Sequence, residues 1–181
     1  MEVIYNFDYI ILNAIQQSLR CEFFDSFTLT LSYVTTSGII WVMAGITMLF
    51  FRKMRTSGII MLVSLTVVFL TGDVLLKHLV NRPRPFTVNT DITLLIKSPS
   101  GSSFPSTHSG LAAASTTILL TRNKVLGFVA TVMTVCIAFS RLYLYVHYPT
   151  DIFTGLMLGI LCALTILWLA KQIGLERKIL R

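Results

Sequence analysis

Charge is scarce in this 181-residue chain: 13% of the residues are Asp, Glu, Lys or Arg, and only 8 acidic residues stand against 15 basic ones. With 54% hydrophobic residues and a mean hydropathy of +0.76, that scarcity excludes an ordinary water-soluble domain. Carboxylates are too few and too scattered to form a cluster for a divalent ion, so the expectation is a site with no metal and no other cofactor. Cysteine is rare as well. Cys21, Cys136 and Cys162 are odd in number and lack ligand spacing, and two of them lie in apolar runs, so they read as small core hydrophobes. No basic run precedes the first apolar segment and no small-residue cleavage pattern follows it, so a removable signal peptide is not expected. Repeats and inter-domain linkers are also lacking, and residues 1–181 read as a single domain.

What the chain does have is long apolar runs. A bilayer core about 30 Å thick needs roughly 20 helical residues at about 1.5 Å each. Residues 28–51, 57–80, 125–146 and 151–171 meet that length. A fifth segment, 106–121, is shorter and rich in small residues (Gly110, Ala112, Ala113, Ala114, Ser115), which suits close packing inside a bundle. Over residues 3–20, Ile4, Phe7, Ile11, Ile15 and Leu19 share one helical face, and Asn6, Asn13, Gln17 and Arg20 share the other. That pattern predicts a helix lying on the membrane, with a short sixth crossing as the alternative because only Asp8 is charged in its middle. The expected fold class is therefore all-α: a polytopic membrane helix bundle with five transmembrane helices plus an N-terminal amphipathic helix.

The net charge of +7 does not point to nucleic acid, because the basic residues form no exposed stripe interleaved with aromatics. They gather at the ends of apolar segments. Arg52, Lys53 and Arg55, then Arg122 and Lys124, then Lys171, Arg177, Lys178 and Arg181 all fall on one side if the spans alternate. The positive-inside rule makes that side, with the C-terminus, cytoplasmic. The opposite side receives the loop 81–105 and the turn near 141–150. Yet Lys77, Arg82, Arg84 and Arg141 also lie there, against the rule.

In that same outward layer stand Ser106, His108, Ser140, His147 and Asp151. Ionisable groups at a membrane boundary are expensive to bury, so several converging segments point to a functional site. Dense cations need an anion, and phosphate suits both the planar fork of Arg and the point charge of Lys. Pro105-Ser106-Thr107-His108 opens a helix, whose first N–H groups face incoming negative charge. Asp151 follows His147 by four positions and could hold one ring nitrogen protonated while the other acts as nucleophile, with Pro149 starting the helix between them. His108 would protonate the departing oxygen.

Lys77 with Arg84-Pro85 after six intervening residues, Pro105-Ser106-Thr107-His108, and Ser140-Arg141 followed by His147 and Asp151 together resemble the three motifs of the type 2 phosphatidic acid phosphatase superfamily, in order and spacing. The motifs span residues 77–151, and the helical pattern extends the resemblance over about 28–171. It implies a phosphate clamp of Lys77, Arg84 and Arg141, with support from Ser106 and the Thr107 N–H. It also implies His147 as nucleophile, Asp151 as its orienting partner and His108 as general acid. Thr107 departs from the family pattern, which has Gly there; the backbone donor survives the change. Ser140 could be a packing residue, and Arg82 and His78 match no motif position, which leaves them accessory or structural.

The implied activity is hydrolysis of a lipid phosphate or diphosphate, with undecaprenyl diphosphate or phosphatidylglycerophosphate as the leading substrates, on the extracytoplasmic side of a cell membrane. Two other readings share these residues: a vanadium-dependent haloperoxidase, and a non-catalytic binder or transporter of anionic lipids. Phe104, Tyr143, Tyr145 and Tyr148 stand either as substrate contacts or as an interfacial aromatic belt.

Overall fold

The computed structural model describes residues 2–175, and all regular structure among them is helical. Arg177, Lys178 and Arg181 lie outside the described residues, as does the side chain of Ile4. The helices run α1 (Glu2–Ser18), α2 (Glu22–Val34), α3 (Ile39–Phe50) and α4 (Arg55–Phe69). A π-helical stretch, Leu70–Leu76, then carries α4 into the short α5 (Lys77–Val80). After α6 (Pro85–Val88) and a loop come α7 (Thr107–Arg122), α8 (Lys124–Tyr143) and α9 (Pro149–Gln172).

Three stretches are long and apolar enough to cross a membrane: Arg55–Val88, Lys124–Tyr143 and Pro149–Gln172. The span expected over 28–51 is instead broken into α2 and α3, which meet at 50°. Gly38, at φ 72°, takes the left-handed turn that starts the second piece. As one bent unit, α2 and α3 would make a fourth crossing. The small-residue segment becomes α7, whose 16 residues fall short of the length for a full span. The expected count of five crossings is thus met by length and composition only in part.

The position of α7 follows from its small side chains. Residues 109–116 are all buried, and the helix is enclosed by α4, α8 and α9. Its tightest neighbour is α9. A methyl added at Gly159 would lie 2.1 Å from the Gly110 carbonyl oxygen, and one at Gly155 would lie 2.3 Å from that of Ser106. Gly155 and Gly159 form a G-x-x-x-G face that lets the two backbones touch. Around this contact Met61, Leu65, Val68, Ala114, Ile118, Ile137 and Ala163 fill the core. Outward faces stay apolar: Phe23, Val125, Phe128, Phe153 and Trp168 are all more than half exposed, as lipid-facing residues should be.

The N-terminal helix turns apolar residues outward and an acid inward. Phe7 and Leu19 are exposed, whereas Asp8 and Leu12 are fully buried, so α1 packs through the Tyr5, Asp8, Leu12 face against α8 and α9. Tyr143, Tyr145 and Tyr148 are likewise wholly buried, which rules out the belt reading for all three. Cys136 and Cys162 are partly buried within their helices, but Cys21 is exposed at the start of α2, contrary to its expected place in the core. At the opposite end from the tyrosines, Arg122 donates to the Lys53 carbonyl, which brings two of the three basic clusters together.

Candidate active site

The π-helical stretch widens α4 near its end, a feature that often accompanies function. It places Asp73 so that its carboxylate meets Lys77 four residues on and also accepts from the Thr107 hydroxyl at 2.9 Å. Motif residues from α5 and α7 are thereby tied together. The hydroxyl that departs from the expected glycine is thus engaged rather than idle. Lys77, Asp73, His78, Asn81 and Gly101 border a cavity of about 420 Å³.

Arg84 reaches the same centre from the loop before α6. It is buried, its Nε donating to the Gly101 carbonyl at 3.0 Å and its Nη1 to that of Val146 at 3.0 Å. Those neutral acceptors fix the fork without cancelling its charge. Arg141, in the last turn of α8, is also buried, its Nε held by the Ser140 hydroxyl at 3.2 Å. Its Nη2 has no hydrogen-bond partner among the described residues, although buried donors are nearly always paired. A guanidinium held in this way suits an anion. Ser106 is fully buried at the start of α7, where its hydroxyl lies 3.0 Å from that of Ser109 and its N–H donates to the Asp151 carbonyl.

His147 sits in the turn between α8 and α9. Tyr145, at φ 60°, makes the left-handed bend that brings the chain round. The His147 Nδ1–H donates to the Ser103 carbonyl at 2.7 Å, which leaves Nε2 as the free acceptor, 3.5 Å from Arg84 Nη1. Asp151 Oδ2 is 3.7 Å from Nδ1, too long for a hydrogen bond, and accepts instead from the Tyr148 N–H at 2.9 Å. The group that sets the tautomer here is therefore the Ser103 carbonyl, with Asp151 as a close countercharge. Burial pushes the His147 imidazolium down to about 4; Arg84 and Arg141 add to that shift, and Asp151 opposes it. The ring is neutral, and hence nucleophilic, at physiological pH.

His108 lies one residue into α7, close enough to Arg141, His147, Lys77 and Arg84 to feel the charge of each. All eight residues expected at the site thus fall in one region. Sequence reasoning missed Asp73, the Ser103 carbonyl and the weight of Arg82 and Asp8. A usable signal existed for the two carboxylates, since each is an acid inside an apolar helix. A backbone carbonyl leaves no such mark.

Helices apolar on the outside and a cluster of buried cations around a neutral histidine define a multi-pass membrane protein with an ionisable centre at one end of its bundle. The chain belongs to the PAP2 superfamily, whose family model matches residues 57–174. It is 30% identical over 121 residues to the undecaprenyl-diphosphatase of Sulfolobus acidocaldarius, a match covering 66% of this chain and 58% of that protein. A transmembrane PAP2 type phosphatidylglycerolphosphate phosphatase from Bacillus subtilis superposes with a TM-score of 0.78 at 27% identity, over 96% of this chain and 89% of that one. LpxE of Aquifex aeolicus does so with a TM-score of 0.73 at 25% identity, over 89% and 94%.

Proposed function

We propose that this protein is an integral membrane phosphatase that hydrolyses a lipid phosphate or diphosphate through a phosphohistidine on His147. The observation that carries the reading is the pairing of a neutral His147, its Nδ1–H held by Ser103, with the buried guanidiniums of Arg84 and Arg141. A binder needs the cations but has no use for an imidazole with one nitrogen held and the other free.

In the proposed reaction, Lys77, Arg84 and Arg141 grip the nonbridging oxygens, with the Ser106 hydroxyl and the Thr107 N–H in support. His147 Nε2 attacks phosphorus in line. The bond from phosphorus to the leaving oxygen breaks, and His108 donates a proton to that oxygen. Water then gives a proton back to His108 and attacks the phosphohistidine, breaking the P–N bond and releasing inorganic phosphate. The three cations supply the charge neutralisation that a divalent ion gives elsewhere, so turnover needs no metal.

Undecaprenyl diphosphate and phosphatidylglycerophosphate are the leading substrates, in line with what the Sulfolobus and Bacillus relatives are named for. An apolar groove of about 510 Å³ beside the loop, bordered by Tyr5, Val80, Pro83, Phe104 and Phe153, supports a substrate that keeps a hydrocarbon tail. We place the site on the extracytoplasmic face, with the α2–α3 pair and α7 completing five crossings and the C-terminus in the cytoplasm. Phosphate release by purified protein from both lipids, alongside His147→Ala, tests the reading. Wild-type turnover with none in the variant is expected; turnover by His147→Ala would refute it.

A further inference from the structure

Arg82 matches no motif, yet it is the most heavily bonded cation beside the nucleophile. Its Nη1 donates to Asp151 Oδ1 at 2.6 Å and to the Thr150 hydroxyl at 2.8 Å, and its Nη2 donates to Asp8 Oδ2 at 2.6 Å. Its guanidinium lies 3.9 Å from the Tyr148 ring centroid and 4.8 Å from that of Tyr5. Its main chain is engaged as well. The Arg82 N–H donates to the Ser102 hydroxyl at 3.0 Å, and the Arg82 carbonyl accepts from the Ser103 N–H at 2.9 Å. Arg82 therefore fixes both groups that face His147 Nδ1: its backbone holds the Ser103 segment, and its side chain holds the Asp151 carboxylate.

Asp8 closes the arrangement from α1. It is fully buried, and besides Arg82 it accepts from the Thr150 N–H at 3.0 Å and the Thr150 hydroxyl at 2.7 Å. Two carboxylates thus share one guanidinium. Without Arg82 they would stand close together unneutralised, a costly state in a buried site. Asp8 belongs to a segment outside residues 57–174, which the family model matches. We infer that Asp8 and Arg82 are positioning residues for the His147 site, so that α1 is a working part of the catalytic centre rather than only a membrane-surface helix. This inference rests on the phosphohistidine reading.

The geometry calls for a loss in turnover rather than in binding, since neither residue belongs to the phosphate clamp. The test uses full-length protein in lipid nanodiscs with an undecaprenyl diphosphate substrate, and melting temperature is recorded for every variant. Asp8→Asn and Arg82→Gln should each lower kcat by about 10- to 100-fold, the usual cost of misplacing a reacting group, with KM within about threefold. The double variant should be no worse than the poorer single one, and Asp8→Glu should recover most of the loss. Arg82→Gln should also raise the pH of the acid limb of kcat/KM, because Asp151 then acts on His147 less opposed; Arg84, Arg141 and His108 are the other charged or titratable groups facing that ring. If Asp8→Asn does not fold, Arg82→Lys carries the test: it keeps the charge but cannot bridge two carboxylates, and kcat should fall about tenfold. Folded variants with kcat within twofold of wild type, or with raised KM and unchanged kcat, would overturn the inference while an inactive His147→Ala left the function standing. Activity in His147→Ala would remove the function itself.

Discussion

A histidine earns a chemical role through its surroundings, and those of His147 are unusually one-sided. Its Nδ1 has a carbonyl at 2.7 Å and a carboxylate at 3.7 Å, whereas Nε2 faces a guanidinium. In the proposed reaction the attacking form is the neutral ring, and its imidazolium is held down to about 4. The sign follows directly: the loss of kcat/KM that reports His147 should set in only below about 4, at about tenfold per unit, where protonation removes the lone pair. An ordinary histidine would begin to lose activity near 6.5. A pH-rate profile distinguishes the two. Arg141→Ala removes a guanidinium that the proposed mechanism sets on the phosphoryl oxygens, and kcat/KM should fall by roughly 10²–10³-fold, the scale of one lost transition-state donor. Motif spacing made the eight candidate residues, which the fold gathers in one region, legible in the chain itself. The Ser103 carbonyl was not legible, because which backbone oxygen meets a ring depends on how the loop folds back.

Among the helices, the contact of α7 with α9 decides where the site sits, since it carries Ser106 and His108 on one side and Asp151 on the other. Backbones this close leave no room for a side chain at Gly159. Gly159→Ala should destabilise the protein by roughly 1–3 kcal/mol or more through overpacking, seen as a lower melting temperature in detergent, with activity falling in step. The small residues of α7 announced this burial in advance. The matching glycines of α9 passed unnoticed inside an apolar run. In α1, Asp8 turns inward to meet Arg82 and leaves Phe7 outside. A hydropathy pattern registers apolar faces but not a buried ion pair. The break at Gly38 escaped notice for a related reason, as a glycine within a hydrophobic stretch does not announce its φ.

At the scale of the whole molecule, the basic clusters at Lys53 and Arg122 and the buried cations around His147 occupy opposite ends, with Arg122 bound to the Lys53 carbonyl at one and Arg84 beside His147 at the other. On a Cys21→Ser background, Lys53→Cys and Ser98→Cys should therefore label from opposite sides of the membrane in intact cells, with Ser98→Cys accessible from outside. Labelling of both from one side would overturn the topology. On the proposed mechanism, in which Lys77, Arg84 and Arg141 act where a metal would, phosphate release should also proceed undiminished in excess chelator.

The central claim is a covalent phosphoryl group on one imidazole. Its most direct test is a single-turnover reaction of the wild-type protein with phosphorus-labelled lipid phosphate, sampled by rapid quench in alkali, which preserves phosphohistidine. Label bound to the protein and mapping to His147, and absent when His147→Ala is added, is the predicted result. Phosphate released with no labelled protein at any time point would contradict the account.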